Sequence, residues 1–141
     1  MQEEILSFFP NKKIYGPIAL LFATCIGGPL AAGYVVTRNG NAFGKKENKT
    51  RIWILSMLAV LGCIFLAIIF PPNRHFPWYL PVLNVLAACW ALMQLGTKEY
   101  FYHRDNGGQL FSAWQGIAVG ISSLVITVVI LILGIMLHDL F

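Results

Sequence analysis

The sequence predicts an all-α membrane protein, with four transmembrane helices in an antiparallel bundle and the first helix kinked at Pro29. Three observations carry this reading. Hydrophobic residues make up 57% of the 141 positions and charged residues 11%, more apolar surface than a soluble domain of this length could hide. The apolar residues gather in four spans, about 14–37, 51–70, 77–96 and 113–137, each near the roughly 20 residues that cross a bilayer core of about 30 Å. The connections are too short to bury a core of their own, so residues 1–141 form a single membrane domain.

The N-terminal segment, residues 1–13, carries Ile5, Phe8 and Phe9 on one face of a helical turn. It suits either the headgroup region or a loose tail. Lys12 and Lys13 precede the first apolar run as they would in a signal peptide, but the run is long enough to cross by itself and is expected to stay uncleaved.

In the first span, Ala19, Ala23, Gly27 and Ala31 recur every four residues, and Gly28, Ala32 and Gly33 thicken the small-residue stripe. Hydrocarbon does not force helices together, so close backbone approach over residues of this size is what holds membrane helices. Pro29 lacks an amide proton and its ring crowds the carbonyl of Cys25, which bends or breaks the helix there. A broken helix can bind ions or substrates in transporters. A packing kink is the commoner use, since neighbouring helices satisfy the freed carbonyl.

Asn39-Gly40 gives a turn signal that ends this span, and Lys45, Lys46, Lys49 and Arg51 follow. This basic loop is expected to face anionic lipid on the cytoplasmic side, at about 1 kcal/mol per basic residue. Its Gly40 to Lys46 stretch lacks the spacing and the Ser or Thr of a phosphate loop. Thr50 can cap the second span, and Pro71-Pro72 stops it. Trp78 and Tyr79 occupy interfacial positions before the third span, whose start Pro77 and Pro81 bracket. Asn84 in that span is a possible polar site. An intramembrane amide needs a partner, and the loosened backbone around Pro29 or the hydroxyls of the fourth span can supply one.

Gly96 ends the third span, and 97–112 reads as a mixed, solvated loop holding Glu99, His103 and Asp105. His103 could act with Glu99 or Asp105 in a small interfacial acid-base site, yet no nucleophile motif and no metal-ligand spacing accompanies them. No catalytic residue, metal or cofactor is therefore assigned. Ser112-Ala113-Trp114-Gln115 is a capping box that opens the fourth span. Along that span Gly116, Gly120, Ser123 and Thr127 share a smooth face, which suits packing within the bundle or a homodimer. Cys25, Cys63 and Cys89 all fall inside spans and read as packing residues rather than a disulfide set.

Lys and Arg number five in the loop after span one and two in the loop after span three. Two more lie in the N-terminal segment, and Arg74 is alone between spans two and three. The positive-inside rule places loops 38–50 and 97–112 in the cytoplasm and both termini outside, although Lys12 and Lys13 pull the other way. The +4 net charge sits in these connections, which points to membrane topology and not to nucleic acid.

Gly27-Gly28-Pro29-Leu30-Ala31-Ala32-Gly33-Tyr34, followed by Asn39 and Gly44, and later Gly107-Gly108 with Ser112 and Trp114, resembles a set of small uncharacterised bacterial polytopic membrane proteins. The resemblance implies an inner-membrane location and names no activity. Spans without well-buried ionisable groups argue against proton-coupled transport. The expectation is a non-enzymatic accessory, interaction or protective subunit that packs on a membrane partner or on a second copy. The alternatives are a homo-oligomeric channel or carrier with a polar path near Asn84, and an interfacial enzyme at His103.

Overall fold

The computed structural model describes residues 12–45, 48–70 and 79–139. Within them the chain runs β1 (Ile14–Tyr15), α1 (Pro17–Ala42), α2 (Lys49–Ile69), α3 (Tyr79–Gln94), α4 (Thr97–Asp105), β2 (Leu110–Phe111) and α5 (Ala113–Asp139). The described residues are mostly helical, and among them α1, α2 and α5 are each long and apolar enough to cross a membrane. The expectations for Met1–Asn11, Lys46 and the Pro71–Trp78 reversal lie outside the described residues.

α1 is the hub. It is about two-thirds buried, against 22% for α2 and 11% for α5. Its helical backbone is interrupted at Gly28, where φ is 61° and ψ is −148°, a combination open in practice only to glycine. A straight helix of 26 residues would be about 39 Å long. Yet the Asn39 side chain, near the far end of α1, lies within hydrogen-bond distance of the Tyr15 backbone, which precedes its start. The two arms of α1, 17–27 and 29–42, therefore fold back on each other, and Ala19, Leu20 and Ala23 of the first share a core with Ala31, Ala32, Val35 and Val36 of the second. Gly28 supplies the reversal, and Pro29, with its fixed φ and missing N–H, is suited to the first position of the returning arm.

This fold-back changes the neighbours. On the first arm, Ala19 meets Gly116 and Ala23 meets Gly120, so that arm and α5 run in the same direction. An up-down-up-down arrangement would have opposed them. On the second arm, Gly33 meets Ser56 of α2.

The stretch expected to be a third span, 77–96, contains the 16-residue α3 and ends at Gly96, whose φ of 68° breaks the helix. The chain then restarts as α4, bent by 65° from α3. The expected loop at 97–112 is therefore largely ordered. Its Glu99 folds back over Gly96, where a Cβ would stand 2.5 Å from Oε2, and this close approach lets the third helical residue shield the start of α4.

The first two residues of the expected first span are not helical. Ile14 and Tyr15 form β1, which pairs in parallel with β2 in the register Ile14 to Leu110 and Tyr15 to Phe111. Asn39 and Gly40, read as the end of that span, lie inside α1, which continues to Ala42. Thr50 is likewise inside α2, behind the N-cap residue Asn48. α5 opens with reciprocal bonds between Ser112 and Gln115: the Ser112 N–H donates to Gln115 Oε1 at 2.9 Å and the Gln115 N–H to Ser112 Oγ at 3.4 Å.

Candidate functional site

Among the described residues two places gather polar chemistry, the break in α1 and the end where its two arms begin and finish. At the break, the Asn84 side chain of α3 reaches across, and its Nδ2 donates to the Cys25 carbonyl at 3.0 Å. That carbonyl lies four residues before Pro29, the position a proline deprives of its helical donor. Asn84 Oδ1 rests against Gly28, so close that a Cβ there would stand 2.5 Å away. The amide thus closes the broken end of the first arm and needs a glycine beside it.

Around the break the small residues are all in use. A Cβ on Gly27 would meet the Gly120 carbonyl at 2.7 Å and Ser123 Cβ at 2.8 Å. Gly116 lies with its Cα against the Ala19 carbonyl, and Gly33 against the Ser56 hydroxyl. Ser123 is buried, and Thr127 turns its hydroxyl to the Ser123 carbonyl at 2.8 Å. Ala32 belongs to the buried core, while Pro29 and Leu30 are buried at the break. Gly116 and Gly120, which could have served a homodimer, face α1 of their own chain.

At the other place, the Asn39 amide makes two bonds to one residue: Oδ1 accepts from the Tyr15 N–H at 2.7 Å and Nδ2 donates to the Tyr15 carbonyl at 2.9 Å. Successive residues of a strand turn their backbone groups to opposite edges. Ile14 donates to Gln109 O on the β2 side, and Tyr15 faces Asn39 on the other. One asparagine side chain therefore completes the open edge of a two-residue strand. Tyr15 stacks on Phe111 at 4.3 Å between centroids and lies edge-on to Tyr34 at 6.5 Å. Burial, reinforced by Tyr34, pushes the Tyr15 phenol above its ordinary pKa against the opposing pull of Arg38.

His103 is buried and not part of a solvated loop. Its Nε2 lies 3.2 Å from the Gln109 carbonyl, its ring meets Phe43 edge-on, and it covers Gly108, which has no room for a side chain. The Gln109 carbonyl, which also accepts from the Ile14 N–H beside the strand pair, lies against the imidazole. Glu99 and Asp105 are not its partners. Glu99 takes a hydrogen bond from Lys45 Nζ at 2.5 Å, which with its own backbone N–H holds its carboxylate below the usual range. Asp105 pairs at the surface with Arg104 at 3.2 Å. Among the described residues no three His, Cys, Asp or Glu side chains converge as metal ligands would. Lys49 and Arg51 are exposed at the start of α2.

Sequence reasoning missed Asn39, β1 and the burial of His103. Asn39 read as turn chemistry because Asn-Gly is a turn signal, and a single residue gives no sign that its amide will meet a strand 24 positions earlier. Comparison with family models, with curated proteins and with solved structures returns no match for this chain.

Proposed function

We propose that the chain is a non-enzymatic integral membrane protein, an accessory or interaction subunit, in which α1 is a re-entrant hairpin wrapped by α2, α3 and α5. The arms of α1 are about 16 and 21 Å long, near half of a bilayer's total thickness, so α1 enters and leaves on one side. Irregular backbone at membrane depth is tolerated where protein encloses it, and the heavily buried Gly28 break meets that condition. Eight of the ten Lys and Arg are described, and all eight lie at the end where α1 begins and finishes: Lys12, Lys13, Arg38, Lys45, Lys49, Arg51, Lys98 and Arg104. The positive-inside rule makes that end cytoplasmic. β1, β2 and α4 then form a cytoplasmic lid, and Lys12 and Lys13 cease to oppose the topology. The N-terminal segment moves to the cytoplasmic side and the C-terminal end of α5 to the outside, in a membrane that the resemblance takes to be the bacterial inner membrane.

The observation that carries the accessory role is the division of surfaces. Thr24, Asn39, Ser56, Asn84 and His103 spend their side-chain polar groups on the protein's own backbone, with the buried Thr37 hydroxyl left unpartnered, while α2 and α5 turn exposed Leu58, Phe65, Val125, Ile132 and Leu133 outward. Faces of this kind suit lipid and partner helices. Native mass spectrometry of the particle extracted gently from its own membranes tests it. A stoichiometric second protein is the expected result, and a bare monomer with full cellular function would overturn it.

A channel or carrier assembled from copies is the second reading, favoured by the Cys25 carbonyl and Asn84 meeting at the helix break. Flux through liposomes that is abolished by Asn84→Leu would support it. The absence of flux from an assembled, folded protein would remove it.

A further inference from the structure

We propose that the groove between α2 and α3 holds an acyl chain of an anionic phospholipid, whose phosphate is bound by Arg51 at the cytoplasmic mouth. The groove encloses about 180 Å³, with Pro29 and Ala32 of α1 as its floor, Leu55 and Ala59 on the α2 wall and Ala87 and Trp90 on the α3 wall. It exists because α2 and α3 both pack on the hub α1 and the facing residues Ala32, Ala59 and Ala87 are too small to fill the space. Its one hydroxyl, on Ser56, is already committed to the Ile52 carbonyl at 3.0 Å, and the exposed lining is almost wholly apolar.

The charge at its mouth selects the occupant. Residues four apart share a helix face, so Arg51 stands directly above Leu55, which stands above Ala59. Gln94 stands in the same way above Trp90. Lys45 and Arg104 are paired with acids, whereas Arg51 and Lys49 are exposed and make no hydrogen bond or ion pair among the described residues. Both sit in the first turn of α2, which has no acidic residue and no side-chain cap. Cations at a helix N-terminus face the positive end of its dipole. An anion there removes the conflict, takes the free N–H groups, and offers the guanidinium two oxygens at once. A partner helix in the groove would have to bring an acidic side chain of its own to the interface to match Arg51. A lipid brings the tail and the phosphate on one molecule, and Arg51 lies one helical turn above the apolar lining at Leu55.

The inference rests on the membrane reading above and on the cytoplasmic placement of the basic end. Full-length protein purified in detergent would be offered phosphatidylglycerol or phosphatidylcholine with identical acyl chains, and retained lipid counted by native mass spectrometry alongside the melting temperature. Preferential retention of one phosphatidylglycerol, with a raised melting temperature, is expected. Arg51→Gln, an exposed change, should cut that preference about tenfold while leaving the lipid-free melting temperature in place, and Ala59→Phe should remove adducts of both lipids. Equal retention of the two lipids, indifference to Arg51→Gln, or the same stabilisation from inorganic phosphate alone would overturn the proposal. So would a dimer that Ala59→Phe dissociates. Release of the chain from membranes by alkaline carbonate would instead sink the membrane reading, which separates the two failures.

Discussion

Asn39 shows how much one side chain can decide in this protein. Its amide supplies both partners for the Tyr15 backbone, and through Tyr15 it ties the start of α1 to its finish. Asn39→Leu would leave a buried N–H and a buried carbonyl unpaired, at about 1–3 kcal/mol each. Thermal unfolding in detergent should show a loss of about 2–6 kcal/mol, and Asn39→Asp should also destabilise, because a carboxylate cannot donate to the Tyr15 carbonyl. Wild-type stability in both variants would show the clamp to be idle. Glu99 provides a second residue-scale test. The Lys45 hydrogen bond lowers its pKa in the folded state, so its contribution is fully present above the ordinary carboxylate pKa and is lost as pH falls from there through the lowered folded value. A melting profile taken from pH 7 to pH 3 should decline more steeply at the acid end for wild type than for Glu99→Gln.

At the scale of elements, α1 is set by where glycine is required and where it is merely small. Gly28 is required on both counts, since its φ of 61° and ψ of −148° exclude a side chain and Asn84 fills the space beside it. Gly28→Ala should cost at least about 2 kcal/mol and reduce the folded yield. Gly62 in α2 is the internal control, with open space where a Cβ would go. Gly62→Ala should be neutral or stabilise by up to about 1 kcal/mol through helix propensity. Equal melting temperatures for the two variants would contradict the assignment of Gly28 as the reversal point. Gly116, whose Cα abuts the Ala19 carbonyl, belongs with Gly28 in this ranking because the first arm of α1 cannot retreat from α5 without opening the core.

For the whole molecule, the decisive quantity is the number of crossings. If α1 is re-entrant, the chain crosses an odd number of times, through α2, α3 and α5, and its two ends lie on opposite sides. With Cys25, Cys63 and Cys89 replaced by serine, membrane-impermeant labelling of intact cells should fail at Lys13→Cys and Lys98→Cys and succeed at Asp139→Cys. Labelling of Lys13→Cys from outside would mean that α1 crosses. The same experiment bears on the basic end, because Lys13 and Lys98 are expected to share one side under the hairpin and to part under four crossings.

Composition and periodicity determined that this chain is helical and apolar, and roughly where its helices lie. Those properties are local: hydropathy, proline and glycine act over a few residues, and the Ser112 to Gln115 cap is written in four adjacent letters. The sequence also marked Gly27-Gly28-Pro29 as a break and Asn84 as an amide in need of a partner. The direction taken after the break was not legible, because a kink of any angle has the same local spelling. Only the tertiary structure decided that α1 folds back, that Asn39 meets Tyr15, that His103 is enclosed by Gln109 and Phe43, and that Gly116 and Gly120 face their own chain. The Asn39–Tyr15, His103–Phe43 and α1–α5 contacts join residues far apart along the chain, and which partner a side chain meets at such a distance is not written in the local order of the amino acids.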